Sequence, residues 1–386
     1  DSRCANVHTN HVVLNAIHHQ ATLDLMALET PFGNGTLPAA GIPWFVAAFG
    51  RDSLIVGLQT LHLHPEAAAQ TLHFLAAHQG TKVDRYTDEE PGKILHEFRY
   101  GEMARLGEVP HVPYYGTVDA TPLFAWLAAE TCLWTCDVAL YQAIAPHVRP
   151  AFEWIDQYGD VDGDGLVEYS TVTTGAGAIS HKIWKDSWDS LHYPDGRPGI
   201  GLITPVEVQG YVYAAYRKWA KTAALHGDAA WATELEAKAD AVQAGVERRF
   251  WMEAESCYAQ ALGPDKDQIG AVSSNSAQLL MTGLPSPERA ARMSRRFMEP
   301  DMLTGWGLRT LSESMPSFNP MSYHNGSIWP HDNSLAGAGA YACGQNELGE
   351  RIAEGLLEAA AIDPILRLPE LYCGFRRDDA VNDAPV

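Results

Sequence analysis

Between Trp184 and Asp189 the chain reads Trp-Lys-Asp-Ser-Trp-Asp, which sets two carboxylates three residues apart among two indoles. A pyranose has an apolar face that stacks on an aromatic ring and a hydroxyl rim that takes bidentate bonds from charged groups. Cleavage of a glycosidic bond also needs a carboxylic acid still protonated near neutral pH. The same mixture of aromatic and charged residues returns at Trp44 to Asp52, at Tyr323 to Asn333 and at Leu368 to Phe375. Four such clusters exceed what packing alone would produce, and the chemistry they suggest is sugar binding and glycoside cleavage.

Each cluster has a plainer alternative. Asp186 and Asp189 would serve as ordinary loop acids bonded to backbone amides, but Trp184 and Trp188 lower the local dielectric and each carboxylate disfavours charge on the other. Both effects raise one pKa, as an acid catalyst requires. Asp189 is expected as the general acid, Asp186 as a hydroxyl-binding or electrostatic neighbour, and Lys185 as the residue that sets the balance between them. Glu370 lies between apolar neighbours in Leu-Pro-Glu-Leu-Tyr, where burial without a partner would be costly. It is expected as the general base, against a salt bridge to Arg367 or Arg376. Arg51 and Asp52 follow the pair Trp44 and Phe45 and match a clamp for vicinal hydroxyls. The plainer reading makes Asp52 or Ser53 a helix cap.

Tyr323, His324, Asn325 and Trp329 form the densest polar-aromatic run, read as hydrogen bonding to sugar hydroxyls. His324 and His331 stand seven apart without a third ligand, which argues against a metal. Trp306 and Arg309 are expected to add a wall. Glu207 falls in the first turn of a helix, where the dipole favours an acid, with Gln209 and Tyr211 directed to the pocket. Asp160, Asp162 and Asp164 resemble the front half of a calcium loop, although Thr171 occupies the place of the twelfth-position Glu. A structural calcium and a tight acidic turn are both open there, and no other cofactor is expected.

A formal net charge of −21 repels nucleic acid and anionic membrane, so neither is expected as a partner. A neutral oligosaccharide or polysaccharide fits better. The six cysteines, Cys4, Cys132, Cys136, Cys257, Cys343 and Cys373, show no disulfide framework and suggest a cytoplasmic protein. Apolar residues at three and four spacing predict helices over 10–29, 53–63, 65–79, 119–135, 138–157, 206–226, 228–250, 273–282, 286–298, 330–343 and 346–361. Asp119, His64 and Asp228 read as caps. The long Gly-, Pro- and Trp-rich segments between these helices hold the clusters, as a toroid of paired helices with one loop-covered end would.

The motifs PWFVAAFGRDSL, YYGTVDATPLF, DGDGLVEY, WKDSWDS, EVQGYVYAA, YHNGSIWPHDN and RLPELYCGF resemble those of the amylo-α-1,6-glucosidase or glycogen debranching enzyme-like glycosidases. The resemblance implies an all-α (α/α)6 toroid in a single catalytic domain over 1–386. It implies Asp189 as acid and Glu370 as base in an inverting mechanism, and it adds Tyr115 and Asp119 to the substrate-binding residues. Such relatives close the ring with a helix after Leu-Pro-Glu-Leu and carry an N-terminal β-rich domain. The chain therefore reads as a piece of a longer protein lacking that last helix. Exo-acting release of glucose from an α-1,6 branch or short α-glucoside is the expected activity. Trehalase-like or mannosylglycerate hydrolase-like specificity is the alternative on the same toroid. An epimerase using His324, His331 and His181, and a non-catalytic carbohydrate-binding protein, are the other readings.

Overall fold

The computed structural model describes residues 5, 7–33, 35–173 and 178–379, so Cys4 lies outside the described residues. Twelve α-helices occur among them: Val12–Leu28 (α1), Gly50–Thr60 (α2), Pro65–Ala77 (α3), Glu102–Arg105 (α4), Ala120–Thr135 (α5), Val138–Trp154 (α6), Val206–Leu225 (α7), Ala229–Arg249 (α8), Leu279–Thr282 (α9), Pro287–Phe297 (α10), Pro330–Ala342 (α11) and Asn346–Ile362 (α12). Strands are two to four residues long and lie in the connections. The expected helices are present except that 273–282 starts as a 3-10 turn over Ser274–Gln278 before α9, while α4 is an added single turn. Ser273, Asn275 and Ser276 explain the former. Ser276 donates its hydroxyl to the Ser273 carbonyl and Ser273 donates its own to Asn275 Oδ1, competing with helical bonding.

Two expected caps fail. Neither His64 nor Asp119 makes a side-chain cap bond, and α2 starts at Gly50 after an uncapped Phe49, which leaves Asp52 inside the first turn. Asp228 does cap, accepting from Trp231 N at 3.1 Å, and Asp137 caps α6 through Ala139 and Leu140. Five cysteines among the described residues are free thiols. No helix among them is long and apolar enough to cross a membrane.

The chain divides into two compact units. The first comprises 1–7, 23–186 and 211–242, where α2 packs on α3 and α5, and α5 on α6. Helix α5 is apolar on every side and almost wholly buried, as a helix enclosed by others must be. Gly50 allows α2 to begin here, because a Cβ at that position would stand 2.1 Å from the Leu95 carbonyl oxygen.

The second unit comprises 8–22, 187–210 and 243–386. Helix α11 packs on α9 and α12. A small antiparallel sheet joins 202–205, 261–262 and 268–269, with Thr204 opposite Leu262 and Ile269 opposite Ala261. The irregular segment before α11 is held by two bridges, Arg309 to Ile328 and Ile328 to Tyr372. Trp306, Ile328, Ala359 and Tyr372 form a buried apolar cluster beneath it. Gly374 lies against the Gly326 carbonyl so closely that a Cβ would stand 1.7 Å from its oxygen. Only glycine lets the segment that carries Glu370 lie there.

Candidate active site

In the second unit, three consecutive residues reach both expected catalytic segments. Tyr323 donates its hydroxyl to Glu370 Oε1 at 2.7 Å. His324 Nδ1 lies 2.7 Å from Ser187 Oγ. Asn325 Nδ2 donates to the backbone carbonyl of Asp189 at 2.7 Å. Trp329 supports this run from behind: its indole N–H donates to the Tyr323 carbonyl at 2.8 Å, and its ring stacks on His324 at 5.1 Å. Asp189 sits on a tight turn closed by Ser190 N to Ser187 O. It borders a cavity of about 410 Å3 whose walls also include Trp188, His192, Asn319, Ser322 and Asn325.

The surroundings of these carboxylates differ from expectation in two respects. Glu370 is exposed, so no burial cost demands its partner, and that partner is a phenol. Arg376 bonds Glu313. Trp188 does not enclose the acid pair: it stands 81% exposed.

The first unit holds a charge cluster. Arg51, in the first turn of α2, donates to Asp119 Oδ2 at 2.7 Å and to Asp186 Oδ2 at 3.4 Å. Burial opposes its charge, yet Asp119, Asp186 and Asp52 together hold its pKa above the ordinary value. Burial pushes the Asp186 carboxyl up to about 6, with Asp52 and Asp119 adding to the rise and Arg51 opposing it. Asp186 is therefore a raised acid, with charges distant in sequence at work. Asp119, expected as a helix cap and in substrate binding, lies against the Arg51 guanidinium. It is buried and takes bonds from Arg51 and from the Thr117 hydroxyl, so it orients the guanidinium.

Several other expected site residues are buried within the fold. Tyr115 is buried and donates to the His78 carbonyl. Lys185 is buried with its ammonium 5.0 Å over the Trp184 ring, itself buried. Trp306 belongs to the apolar cluster. Arg309, expected as a wall, ties down backbone carbonyls. It is buried and donates to the carbonyls of Pro300, Asp301 and Gly374 and to Glu313, because a loop turned inward needs a many-handed donor for its carbonyls. Glu207 is buried and accepts from Asn275 Nδ2 at 3.1 Å, while Gln209 donates to the Pro205 carbonyl. Trp44 and Phe45 are exposed on a turn closed by paired bonds between Gly41 and Phe45. Asp160, Asp162, Asp164 and Glu168 bring one oxygen each within 4.8 Å of the others. Glu168, at the ninth position, joins the three aspartates, whereas Thr171 stands at the twelfth. Two Asp160 oxygens already accept from the amides of Asp164 and Gly165.

The model of the mannosylglycerate hydrolase MGH1-like glycoside hydrolase domain matches residues 48–367. The chain belongs to this family. No curated protein matches it. Solved structures with the same fold include the GH63 mannosylglycerate hydrolase from Thermus thermophilus in complex with Tris and D-glycerate, at 15% identity and a TM-score of 0.71 over 96% of this chain and 95% of that one. The glucose complex of that enzyme matches at 17% identity and 0.70 over the same shares. A rhamnosidase from Klebsiella oxytoca with rhamnose bound matches at 13% and 0.58 over 91% and 55%. The likeness shows the all-α (α/α)6 toroid expected from the sequence.

Membership of the MGH1-like glycoside hydrolases favours hydrolysis over epimerisation. Two of the histidines that an epimerase would need are engaged, His181 with the Tyr169 hydroxyl and His324 with Ser187. Sequence reasoning passed over His192, Asn319, Ser322 and the role of Ser187. Ser187 lay in view between the two aspartates. Asn319 and Ser322 are ordinary polar loop residues, and only the folded turn before Tyr323 brings them to the cavity.

Proposed function

We propose that this MGH1-like glycoside hydrolase cleaves a small glycoside by single displacement, with Asp189 as general acid and Glu370 as general base. The bond between C1 and the departing oxygen breaks as that oxygen takes the Asp189 proton. Water forms the new bond to C1 from the opposite face and gives its proton to Glu370. Inversion of this kind requires carboxyl groups roughly 6.5 to 9.5 Å apart. The observation that carries the reading is the run Tyr323 to Asn325, which bonds Glu370 at one end and the Asp189 segment at the other.

The family match supports a small glycoside as substrate. It gives no support to an α-1,6 glucan branch, the first expectation from the sequence. Asp186, bonded to Arg51, is assigned to hydroxyl recognition. A second reading makes Asp186 the acid, and its pKa near 6 favours it. The two separate with an activated leaving group, which departs without a proton. Glycosyl fluoride should rescue Asp189→Asn and leave Asp186→Asn impaired; the opposite pattern transfers the acid role to Asp186. Turnover of Glu370→Gln within about tenfold of wild type would remove Glu370 as base, because loss of a general base costs about 10² to 10⁴. Proton NMR of the sugar first released reports its anomer.

A further inference from the structure

The cavity beside Asp189 is furnished for an uncharged sugar. Trp188 stands 81% exposed and lines it, offering a flat apolar platform of the kind on which a pyranose face stacks. Asn319, Ser322 and Asn325 line it as well. Amides and hydroxyls carry donors and acceptors together, which suits sugar hydroxyls that are themselves both. The ionisable members of the wall are Asp189 and His192. Burial lowers the His192 pKa against the opposing pull of Asp189, so the imidazole is neutral at pH 7. Its Nδ1 is buried and has no hydrogen-bond partner among the described residues.

A carboxylate-bearing ligand gains most from the charge-assisted fork of an arginine or from a lysine. In this wall it would meet amides, hydroxyls, a neutral imidazole and an acidic side chain whose ionised form repels it. A general acid gives its proton to the departing oxygen, so it stands on the leaving-group side of the bond that breaks. The cavity against Asp189 therefore belongs to the leaving group.

We propose that this cavity is the aglycone site and that it selects a neutral polyhydroxy leaving group, a hexose lying on Trp188, over glycerate. The inference rests on the hydrolase reading for the role of Asp189 and goes beyond it in naming the leaving group.

The test uses matched glucosides and mannosides whose aglycone is glucose, glycerol or glycerate. In the series that is cleaved, kcat/KM for the glucose and glycerol aglycones should exceed that for glycerate by about tenfold or more. Trp188→Ala should lower it about tenfold for the glucose aglycone and about twofold for glycerol, and Trp188→Phe should restore most of the loss. Preference for glycerate, or an equal loss on all three aglycones, overturns the proposal. If none of the glycosides is cleaved, the hydrolase reading fails separately, and calorimetric titration of the intact protein with glucose and with D-glycerate decides the cavity. Glucose binding that weakens in Trp188→Ala supports the proposal; tighter binding of D-glycerate, or binding of neither, overturns it.

Discussion

Tyr323 donates its hydroxyl to Glu370, and a phenol in that position fixes the direction in which the carboxylate presents its other oxygen. Tyr323→Phe should lower kcat about tenfold with KM changed far less, since a misdirected base weakens the transition state more than binding. Its melting temperature should stay within a few degrees of wild type because both partners are exposed. An unchanged kcat would remove Tyr323 from the site. Asp186 makes a different kind of prediction. Its pKa is raised from 3.8 to about 6, so between those values the folded chain keeps a proton that the unfolded chain has lost. The resulting stability is full below about pH 4 and is lost as pH rises to about 6. For a side chain 34% exposed, solvent screening leaves an effect on the order of 1 kcal/mol. Melting temperatures from pH 4 to 6 should therefore fall in wild type relative to Asp186→Asn, and parallel curves would contradict the assignment. The carboxylates of both loops were legible in the sequence as chemistry. Their surroundings were not: nothing local to Trp184–Asp189 reveals that Arg51, Asp52 and Asp119 act on Asp186.

Helices were read well because a buried stripe repeats every three or four residues whatever it packs against, and α12 needs no knowledge of its neighbours to be recognised. Caps were read less well. Asp119 has the residue type and position of a cap, but the arginine from α2 takes its carboxylate instead. A side chain at a helix end has several possible partners, and tertiary contacts choose among them. The start of α2 gives a test at this scale. A Cβ at Gly50 would stand 2.1 Å from the Leu95 carbonyl oxygen and 3.3 Å from Ala120 Cβ. Both obstacles are held by the main chain, so relief requires moving α2. Gly50→Ala should destabilise the protein by about 2–3 kcal/mol, read as a lower denaturant midpoint. It should also impair activity through Arg51, the next residue. A midpoint equal to wild type would mean that α2 shifts freely.

The chain as a whole carries a formal charge of −21. Such a field leaves a neutral glycoside unaffected and slows the approach of an anionic one. Raising salt from about 0.05 to 0.5 M should increase kcat/KM for a glycerate glycoside about two- to threefold relative to the matched glycerol glycoside. A ratio independent of salt would confine the discrimination to the cavity wall. Fold class and glycosidase chemistry were legible at this scale because the aromatic-carboxylate clusters recur along most of the chain. Specificity was not, since cavity residues such as His192 and Asn319 lie in irregular segments and carry no motif.

Positions 323 and 325 bond the two proposed catalytic segments, so the covalent backbone serves as the ruler that sets their separation. Lengthening or shortening this stretch by one amino acid would slide one anchor out of phase with the other. Natural length variation in homologues is accordingly expected on either side of these positions and never within them.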